Sequence, residues 1–520
     1  MGKKFRFDRY LPWALLCFSI LFSVILYARY GQNTLDADQS SEFVLADQLN
    51  REHALISRNW YYSTELRTVS PVIIYQLALS LFSSWHAART FSVFILSVLC
   101  AAAFLYAAKK AGYGTEAVYC SACFILPFSK TQSFLFAWGC FYSMYFILGC
   151  ILFGLIVSFQ EAHHRILHLV TLSVLSIWAG TAGIRMFMII SIPMVLSCFF
   201  EWVHSFRNTK VQSMGDIKWH SIASAICLLS CCIGYLINIF LFSPIYSFRK
   251  YDTLFTGSFS IYDLLDRFDA LLHYFGYAAD VPVLSLHGGI SFCLICLSFL
   301  VLIAPVSVLK KDGPAPRRRI VNTFAISAVL FVWLIDSMTS GYIAAPTSVG
   351  YYIMGLFFAL FSVFVFIRQT FGTTKWQSLF SLLLVLVFYG NTISFIQRNV
   401  PLHEKQQSTA AAWLLKNGYT HGYATFWNGN LLTEYSNGAI DVILYDTWRS
   451  REPYEWLQSA AHLEALPEGP VFLYTDTEEM ELDPSPCLSS GQLIYEENSV
   501  RIYLFQDAQT VHSTQLNQYL

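Results

Sequence analysis

Residues 35–49, with the sequence LDADQSSEFVLADQL, lie just after a long apolar segment that covers residues 11–28. Two carboxylates, Asp36 and Asp38, open this stretch, and Glu42 follows about one helical turn later. An apolar segment of about 20 residues is long enough to cross a bilayer as a helix. The acidic side chains are therefore predicted at the mouth of a membrane helix. A carboxylate there is either a solvated cap or a group aimed into a cavity between helices, where it can act as a general base.

The local pattern of the same stretch predicts a short helix. Ser40 and Ser41 are good N-cap residues, and the apolar positions of residues 43–49 follow them. Glu42 would then lie in the first turn, where the helix dipole favours an anion. The two carboxylates before the helix are separated by a single residue, so both can serve one site.

The composition of the whole chain is that of a membrane protein. Among its 520 residues, 55% are apolar (AVILMFWYC), 17% are aromatic and only 13% are charged. Soluble domains carry about 25% charged residues, so this chain has too few charges to cover several globular surfaces. The composition also excludes a disordered chain, and a net charge of −1 excludes a nucleic-acid binder with a basic face.

Hydropathy predicts eleven membrane spans, and the basic residues predict their orientation. Four basic residues precede the first span, and the loop KKDGPAPRRR at 310–319 is the most basic of all. Because cytoplasmic loops are enriched in Lys and Arg, both regions are predicted inside. Omitting the tight hairpin around Gly183 would remove a pair of spans and leave nine with the same orientation. The predicted spans are 11–28, 90–108, 115–134, 138–158, 166–184, 186–203, 220–245, 288–309, 320–338, 350–367 and 377–396.

This topology divides the chain into an α-helical polytopic membrane domain, 1–396, and an outer α/β domain, 397–520. Residues 29–89 form the first outer loop, in which the apolar segment 71–84 is too short to span and is predicted as an interfacial helix. The chain is thus predicted to be a multi-pass plasma-membrane protein with a cytoplasmic N-terminus and an extracytoplasmic C-terminal domain. In that domain we predict helices at 404–418, 430–438 and 454–466, strands at 423–427, 439–446 and 470–476, and a hairpin over residues 498–499.

Four sequence motifs, together with this arrangement, carry a resemblance to a known fold. They are LDADQSSEFVLADQL (35–49), PVIIYQLALSLF (71–82), AARTFSV (87–93) and, less specifically, GIRMFMII (183–190). The chain resembles the GT-C fold of integral-membrane glycosyltransferases, and looks most like bacterial members of the mannosyltransferase and aminoarabinose-transferase type. The resemblance covers roughly residues 1–250 by motif and the rest by architecture.

The resemblance implies an inverting transfer of a sugar from a polyprenyl-phosphate donor, outside the cytoplasm. The acceptor would be a glycan, a lipid or a protein, and the other partner is membrane lipid. Asp36 or Asp38 would be the general base that deprotonates the acceptor hydroxyl. The sequence here is Asp-Ala-Asp, which departs from the Asp-Glu pair of protein mannosyltransferases. The choice between the two residues therefore stays open, and so does the acceptor class.

A lipid-phosphate leaving group needs fixed positive charge near the membrane surface. Arg suits phosphate because its fork binds two oxygens, and Arg67, Arg89 and Arg185 are all predicted on the outer side. Each of them can instead be an interface anchor or the partner of a nearby carboxylate. No residue pattern indicates a metal or another cofactor, although a divalent ion is left open. The predicted substrate-binding or supporting residues are Glu42, Glu65, Tyr61 and Tyr62.

Other outer residues carry weaker signals. The loop 246–287 contains several Asp and His residues, among them His273, and its segment 261–277 has the apolar spacing of an interfacial helix. Asp336 ends a predicted span, where it either caps the helix or has a functional role. In the outer domain, five residues are predicted either to contact a sugar or to belong to the core: Trp427, Asn428, Asn430, Trp448 and Tyr454.

Two other classes of protein compete with a glycosyltransferase. A transporter or flippase needs ionisable residues or broken helices at the bilayer midplane, often with an internal repeat, and neither is evident in the sequence. A non-catalytic membrane scaffold would use the outer domain for binding alone. That reading predicts that Asp36 and Asp38 do not face a cavity.

Overall fold

The structure of the chain, a computed structural model, describes residues 7–64, 66–207, 214–248, 254–255, 261–311, 316–340, 350–372, 375–448, 450, 452–482 and 487–517. Glu65 lies outside the described residues, as do parts of the loop 246–287 and of the basic loop 310–319. The helices are α1 (Phe7–Tyr30), α2 (Ala37–Glu52), α3 (Val72–Leu81), α4 (Trp85–Lys110), α5 (Thr115–Phe124), α6 (Lys130–Gln132), α7 (Ser143–Ser158), α8 (Arg165–Thr181), α9 (Ile192–Arg207), α10 (Met214–Ile237), α11 (Ile261–Tyr274), α12 (Leu286–Lys311), α13 (Pro316–Met338), α14 (Ile353–Phe371), α15 (Lys375–Asn399), α16 (Gln406–Lys416), α17 (Phe426–Tyr435), α18 (Ala461–Glu464), α19 (Thr477–Leu482) and α20 (Ala508–Asn517). The strands are β1 (Trp60–Tyr61), β2 (Leu254–Phe255), β3 (Thr339–Ser340), β4 (His421–Thr425), β5 (Asp441–Tyr445), β6 (Gln458–Ser459), β7 (Val471–Asp476), β8 (Gln492–Glu497) and β9 (Val500–Phe505).

The long helices run between two faces of one bundle. We call the end that meets the C-terminal residues 400–517 the domain face, and the other end the opposite face. α1 reaches the domain face, since the carbonyl of Gln32 just after it accepts a 2.7 Å hydrogen bond from the Tyr435 hydroxyl. α4 starts there as well, because the Trp85 amide donates to Asn437 Oδ1 at 2.7 Å.

Arginines at the opposite face are held by carboxylates on neighbouring helices. Arg319 of α13 pairs with Glu201 of α9 at 3.0 Å, and both side chains are buried. Arg368 of α14, whose side chain is 39% exposed, pairs with the buried Glu116 of α5. A buried charge needs such a partner, because an unpaired one would be costly in a low-dielectric environment. The opposite face is the side that the charge pattern predicts to be cytoplasmic.

Within the described part of the chain, nine helices are long and apolar enough to cross a membrane. Two of the predicted spans take a different form. The span predicted at 115–134 is the 10-residue helix α5, followed by an irregular segment through Pro127 and the short α6. The span predicted at 166–184 is α8, which has 17 residues. Proline disfavours helix for the residue before it and lacks an amide donor, which accounts for the break after α5.

Both shorter segments still connect the two faces. α5 starts at the opposite face beside Glu116, and the chain then reaches Lys130, which lies near Asp36 on the domain face. α8 ends at Thr181, whose hydroxyl lies 3.0 Å from that of Thr68 in the loop after α2. With these two, eleven segments in the described part of the chain link the faces, which places residues 400–517 on the same side as the loop between α1 and α4.

The packing of α8 against α10 depends on two glycines. A Cβ atom on Gly180 would lie 2.1 Å from the carbonyl oxygen of Cys231, and one on Gly234 would lie 2.0 Å from that of Ile177. Without side chains at these positions, the two backbones come into direct contact. Small residues allow the same close approach at helix interfaces in membranes generally.

α2 and α3 lie across the domain face. Their contact is aromatic, with the rings of Phe43 and Tyr75 4.6 Å apart. α3 leaves Ile73, Leu77 and Leu81 exposed, and their spacing of four residues places them along one stripe of the helix. An exposed apolar stripe on a short helix is typical of an interfacial position, as predicted for segment 71–84.

The C-terminal region contains a five-stranded mixed sheet in the order β5-β4-β7-β9-β8. β4 is parallel to β5 and β7, whereas β9 is antiparallel to β7 and β8, so the predicted α/β architecture and the hairpin at 498–499 are present. Two predicted boundaries were wrong. Strand β4 ends at Thr425, because Phe426 and Trp427 begin α17. The segment predicted as a helix at 454–466 contains only α18, and part of it forms β6, which pairs with β1 of the first outer loop.

Candidate functional site

α2 begins at Ala37 and is capped by Asp36. The Asp36 backbone is extended (φ −132°, ψ 177°), and its side chain accepts a hydrogen bond from the Gln39 amide at 2.9 Å. The prediction that Ser40 and Ser41 cap this helix was wrong, since both lie inside it. Asp is as good a cap as Ser and comes first in the chain, so the helix begins one turn earlier. Asp36 is thereby fixed at the end of α1 and the start of α2.

The side chains of Asp36 and Asp38 are half-buried, and the pKa of each carboxyl group is raised above its usual value. Burial, together with the charge of Asp38, raises the pKa of Asp36 to about 7, against the lowering effect of the Gln39 amide and of Lys405. Burial also raises the pKa of Asp38, while the charge of Arg67 acts in the other direction. Perturbed carboxylates in a cleft are typical of functional sites, although ion-pair networks produce them too.

A cavity of about 720 Å³ opens beside Asp36 at the domain face. It lies among the end of α1, the break after α5 and the end of α15, and its walls combine Phe134 and Phe395 with the amines of Lys130 and Lys405. Lys405 donates a hydrogen bond to the Leu35 carbonyl. Burial lowers the pKa of Lys405, and the charge of Asp36 opposes that effect. The cavity is thus apolar on one side and cationic near the candidate base.

A second cavity, of about 480 Å³, lies between α2 and the C-terminal domain. Asp36 and Lys405 line it as well, so the two cavities meet at these residues. Its other walls come from α16, α17, α19 and the ends of β4, β5 and β7. Asp38 lines neither of these two cavities.

Glu42 lies one turn further along α2, beside Arg67. Arg67 Nη1 is 3.2 Å from Glu42 Oε1, and both side chains are largely buried. Burial raises the pKa of Glu42 to about 7, and the charges of Arg67, Arg89 and Arg185 oppose the increase. Arg185 in turn donates to the Tyr142 hydroxyl at 3.1 Å. Arg67 and Arg185, predicted from the sequence as phosphate ligands, therefore belong to one electrostatic cluster with Asp38 and Glu42.

Arg89 is placed differently from the other two predicted arginines. Its Nε and Nη2 donate to the two carboxylate oxygens of Glu434 at 2.7 and 2.8 Å, and Nη2 also donates to the Gln39 carbonyl at 3.1 Å. The guanidinium stacks on the Phe43 ring at 3.9 Å and is only 2% exposed. Arg89 thus connects α4, α2 and α17, and its Nε and Nη2 donate hydrogen bonds within the protein.

The predicted tyrosines lie at the edge of this region. Tyr61 is in β1, and its carbonyl accepts from the Leu457 amide of the C-terminal domain at 2.7 Å. Tyr62 is buried, and its hydroxyl accepts from the amide of Ser57 at 3.0 Å and donates to the carbonyl of the same residue at 3.1 Å. Both tyrosines connect the first outer loop to its surroundings. Glu65 is outside the described residues.

Three of the five domain residues predicted to contact a sugar line the second cavity: Trp427, Asn428 and Trp448. The other two are not among its lining residues. Asn430 is buried and donates to the Leu457 carbonyl at 3.3 Å, whereas Tyr454 stacks on Trp456.

The weaker candidates form ion pairs away from both cavities. His273, on α11, lies 3.2 Å from Asp269, and both are exposed. Asp336 is buried and pairs with Arg267 of α11 at 3.1 Å, so it joins α13 to the predicted amphipathic helix. Among the residues that the structure describes, no group of three His, Cys, Asp or Glu side chains is arranged to hold a metal ion.

Sequence reasoning missed Lys130 and Lys405. Lys130 carried a usable signal, since it is a charge inside the predicted span 115–134, and intramembrane charges often mark function. Lys405 precedes an ordinary amphipathic helix, and nothing local distinguishes it from a solvated lysine. Its position beside Asp36 depends on how the C-terminal domain docks, which the sequence does not reveal.

No family model and no curated protein sequence matches this chain. Several solved structures share its fold. One is the oligosaccharyltransferase of Archaeoglobus fulgidus tethered with an acceptor peptide containing the NVT sequon, with a TM-score of 0.50 and 11% identity over 91% of this chain and 70% of that one.

ArnT from Cupriavidus metallidurans is similar over almost the full length of both chains. Its apo state has a TM-score of 0.54 and 9% identity, covering 96% of this chain and 98% of that one. Its complex with undecaprenyl phosphate has a TM-score of 0.55 and 11% identity, covering 95% and 97%. Both proteins are membrane glycosyltransferases of the GT-C fold, and the likeness confirms the fold predicted from the sequence.

Proposed function

We propose, from the GT-C fold that this chain shares with those two enzymes, that it is a membrane glycosyltransferase. It would transfer a sugar from a polyprenyl-phosphate donor to an acceptor hydroxyl at the domain face. The observation that carries the proposal is the position of Asp36 at the junction of two cavities, with its pKa raised to about 7. A carboxylate of ordinary pKa is a weak base, whereas one near neutrality matches the task of accepting a proton at cellular pH.

In the proposed reaction Asp36 removes the proton from the acceptor hydroxyl as its oxygen attacks the anomeric carbon. The bond from that carbon to the phosphate oxygen breaks, and the phosphate leaves with the electron pair. Attack opposite the leaving group inverts the anomeric centre. Asp38, the alternative base, shares the same turn and raises the pKa of Asp36 through its charge. We therefore assign Asp36 as the base and Asp38 as its electrostatic neighbour.

Arg67 and Arg185 are proposed to hold the donor phosphate. Arg67 pairs with Glu42 at 3.2 Å, and the charges of both arginines act on the Glu42 carboxylate. The two guanidinium groups would stabilise the leaving phosphate, and Glu42 would fix the position of Arg67. We do not assign Arg89 to the phosphate, because Glu434 and the Gln39 carbonyl already accept its hydrogen bonds.

Lys130 and Lys405 are a second set of residues that could hold the phosphate. They line the cavity of about 720 Å³ that contains Asp36 and has apolar walls. Such a cavity suits the phosphate and first isoprene units of a lipid donor as well. Arg67 and Arg185 do not line this cavity, so variants in each set can distinguish the two possibilities.

The domain face is proposed to be extracytoplasmic and the membrane to be the plasma membrane of a bacterium. The basic residues of the opposite face, among them Lys109, Lys110 and Arg317, agree with the positive-inside rule. The acceptor, whether glycan, lipid or protein, would then approach from outside the cell. The competing transporter reading gains no support from the ion pairs at the opposite face, since Glu116 and Glu201 lie near the ends of their helices rather than at mid-bilayer.

The test is a transfer assay in membranes with a panel of radiolabelled polyprenyl-phosphate sugars. We expect label to move to an endogenous acceptor with wild-type protein. Arg67→Ala should raise the donor KM about tenfold or more, because a charge-assisted hydrogen bond contributes about 1.5–3 kcal/mol. Arg51→Ala is the matched control, since Arg51 is exposed on the same helix as Asp36.

Three results would change the proposal. A rise in donor KM for Lys405→Ala with none for Arg67→Ala would indicate that the lysine pair binds the donor phosphate. Equal effects of Arg67→Ala and Arg51→Ala would show that Arg67 does not bind it. No turnover with any donor, from protein shown to be folded, would favour the transporter and scaffold classes over an enzyme.

A further inference from the structure

The second cavity is lined by a large aromatic side chain, Trp427, that is exposed and not buried in the protein core. Trp427, the second residue of α17, lines the cavity and is 63% exposed. Its one close aromatic neighbour among the described residues is Phe426, in an edge contact at 5.2 Å, which leaves a face of the indole open. Burying such a ring is favourable, so an exposed one inside a cavity indicates a ligand that covers it.

Beside this ring, Trp448 contributes to the cavity wall. Its side chain is only 1% exposed and packs on the Tyr445 ring, with ring centroids 5.8 Å apart. Trp448 therefore belongs to the fixed wall of the cavity, whereas Trp427 offers an open ring face.

The polar groups around the two tryptophans are held in fixed positions. The Asn428 amide donates to Glu479 at 2.9 Å and to Asp476 at 3.3 Å, and its oxygen accepts from Gln407 at 2.8 Å. Thr425 donates to the same Glu479 carboxylate. Rigid amides and carboxylates next to an aromatic face are the groups that recognise the hydroxyls and the apolar face of a sugar ring.

The charge of the cavity restricts the ligand further. Asp446, Asp476, Glu478 and Glu479 line it, and of the described residues on its wall only Lys405 is basic. An anionic ligand would meet several carboxylates at close range, and like charges in a confined site are strongly unfavourable. Hydroxyl groups, in contrast, can donate to these carboxylates.

We propose that this cavity, between α2 and the C-terminal domain, binds the acceptor as a saccharide unit that carries no phosphate, sulfate or carboxylate. Trp427 stacks on the sugar ring, and the carboxylates accept hydrogen bonds from its hydroxyls. The role as acceptor site rests on the proposed function, since it is Asp36 on the cavity wall that would deprotonate the bound hydroxyl. Asp446 and Trp427 then determine specificity for an uncharged glycan and exclude an acidic one.

The experiment measures equilibrium binding without any donor, so that it does not depend on turnover. Purified full-length protein in detergent is applied to an array of neutral, sulfated, phosphorylated and uronic-acid oligosaccharides, and the strongest neutral glycan is then titrated by calorimetry. We expect neutral glycans to bind and Trp427→Ala to weaken binding about tenfold, as is common when a central tryptophan is truncated. Trp427→Phe, which keeps a ring, should lose much less. Trp376→Ala is the matched control, because Trp376 is 61% exposed and begins α15 at the opposite face.

Preferential binding of acidic oligosaccharides would overturn the proposal, and so would the absence of neutral-glycan binding. Equal losses for Trp427→Ala and Trp376→Ala would also refute it. Neutral-glycan binding that depends on Trp427, combined with no sugar transfer in the membrane assay, would support the saccharide site and contradict the enzymatic function. Equilibrium binding therefore tests the saccharide site, and the membrane transfer assay tests the enzymatic function.

Discussion

Replacing Glu434 with Gln tests the role assigned to the most buried arginine of the site. In the wild type, Arg89 makes two charge-assisted hydrogen bonds to Glu434, at 2.7 and 2.8 Å, with side chains only 2% and 4% exposed. Removing the carboxylate charge leaves the guanidinium buried without compensation. Breaking a buried pair in this way costs about 3–5 kcal/mol.

The double variant Arg89→Met/Glu434→Leu distinguishes two contributions to the free energy of unfolding: the net contribution of the ion pair, and the cost of leaving one buried charge without a partner. It removes both charges and fills the space, so we expect it to be more stable than Glu434→Gln. Glu496→Gln is the matched control, since Glu496 makes a 2.6 Å pair with Arg501 but both side chains are well exposed. An exposed pair contributes about 0–1 kcal/mol, so this variant should be close to wild type.

Unfolding of the purified proteins in detergent micelles, followed by heat and by denaturant, provides the measurement. We expect Glu434→Gln to be clearly destabilised and to have an unchanged donor KM per folded molecule, because Arg89 holds α2 and α17 together and does not bind phosphate. Stability within 0.5 kcal/mol of wild type would refute the reasoning about burial. A raised donor KM with unchanged stability would instead indicate that Arg89 takes part in binding the donor phosphate.

Two other predictions concern proton transfer and helix packing. Because Asp36 must be ionised to act as a base and its pKa is raised to about 7, transfer should be nearly constant above pH 8 and fall about tenfold per unit well below pH 7; a profile that is flat from pH 5 to 8 would contradict the assignment. Gly180→Ala should lower thermal stability, because its Cβ would lie 2.1 Å from a backbone carbonyl of α10. Gly289→Ala, in a helix with nothing within 4 Å of the added atom, should be neutral or slightly stabilising, and similar melting temperatures for the two variants would contradict the packing argument.

Features that depend on local sequence were predictable. Hydropathy located the long helices, and strand and turn patterns located β7 and the hairpin of β8 and β9, where Asn498 adopts the left-handed conformation. The acidic stretch at 35–49 was correctly predicted to contain a helix just after the first long apolar helix. In each case, a period of hydrophobicity or a turn residue acts over a few neighbours, so a single sequence contains the information.

Features that depend on long-range contacts were not predictable. Arg89 has the same local sequence character as a phosphate ligand or an interface anchor, and only the docking of α17 reveals its partner Glu434, which is 345 residues away. The pairing of β1 with β6 likewise joins segments far apart in the chain, and it replaced part of a predicted helix. Lys405 lies beside Asp36 for the same reason. The local motifs of the candidate site can be recognised in the sequence, but the partners of their residues depend on where the C-terminal domain docks.

Whether Asp36 is the base of a glycosyl transfer can be measured by single-turnover transfer with Asp36→Asn, Asp38→Asn and the control Asp47→Asn. Asp47 lies in α2, the helix that Asp36 caps, and pairs with Arg51 at 3.2 Å. Loss of a general base typically costs about 10²–10⁴-fold in rate. We expect a loss of that size for Asp36→Asn with donor binding retained, a smaller loss for Asp38→Asn, and wild-type rates for Asp47→Asn. Full transfer activity in Asp36→Asn would show that Asp36 is not the base, and a larger loss in Asp38→Asn than in Asp36→Asn would assign that role to Asp38.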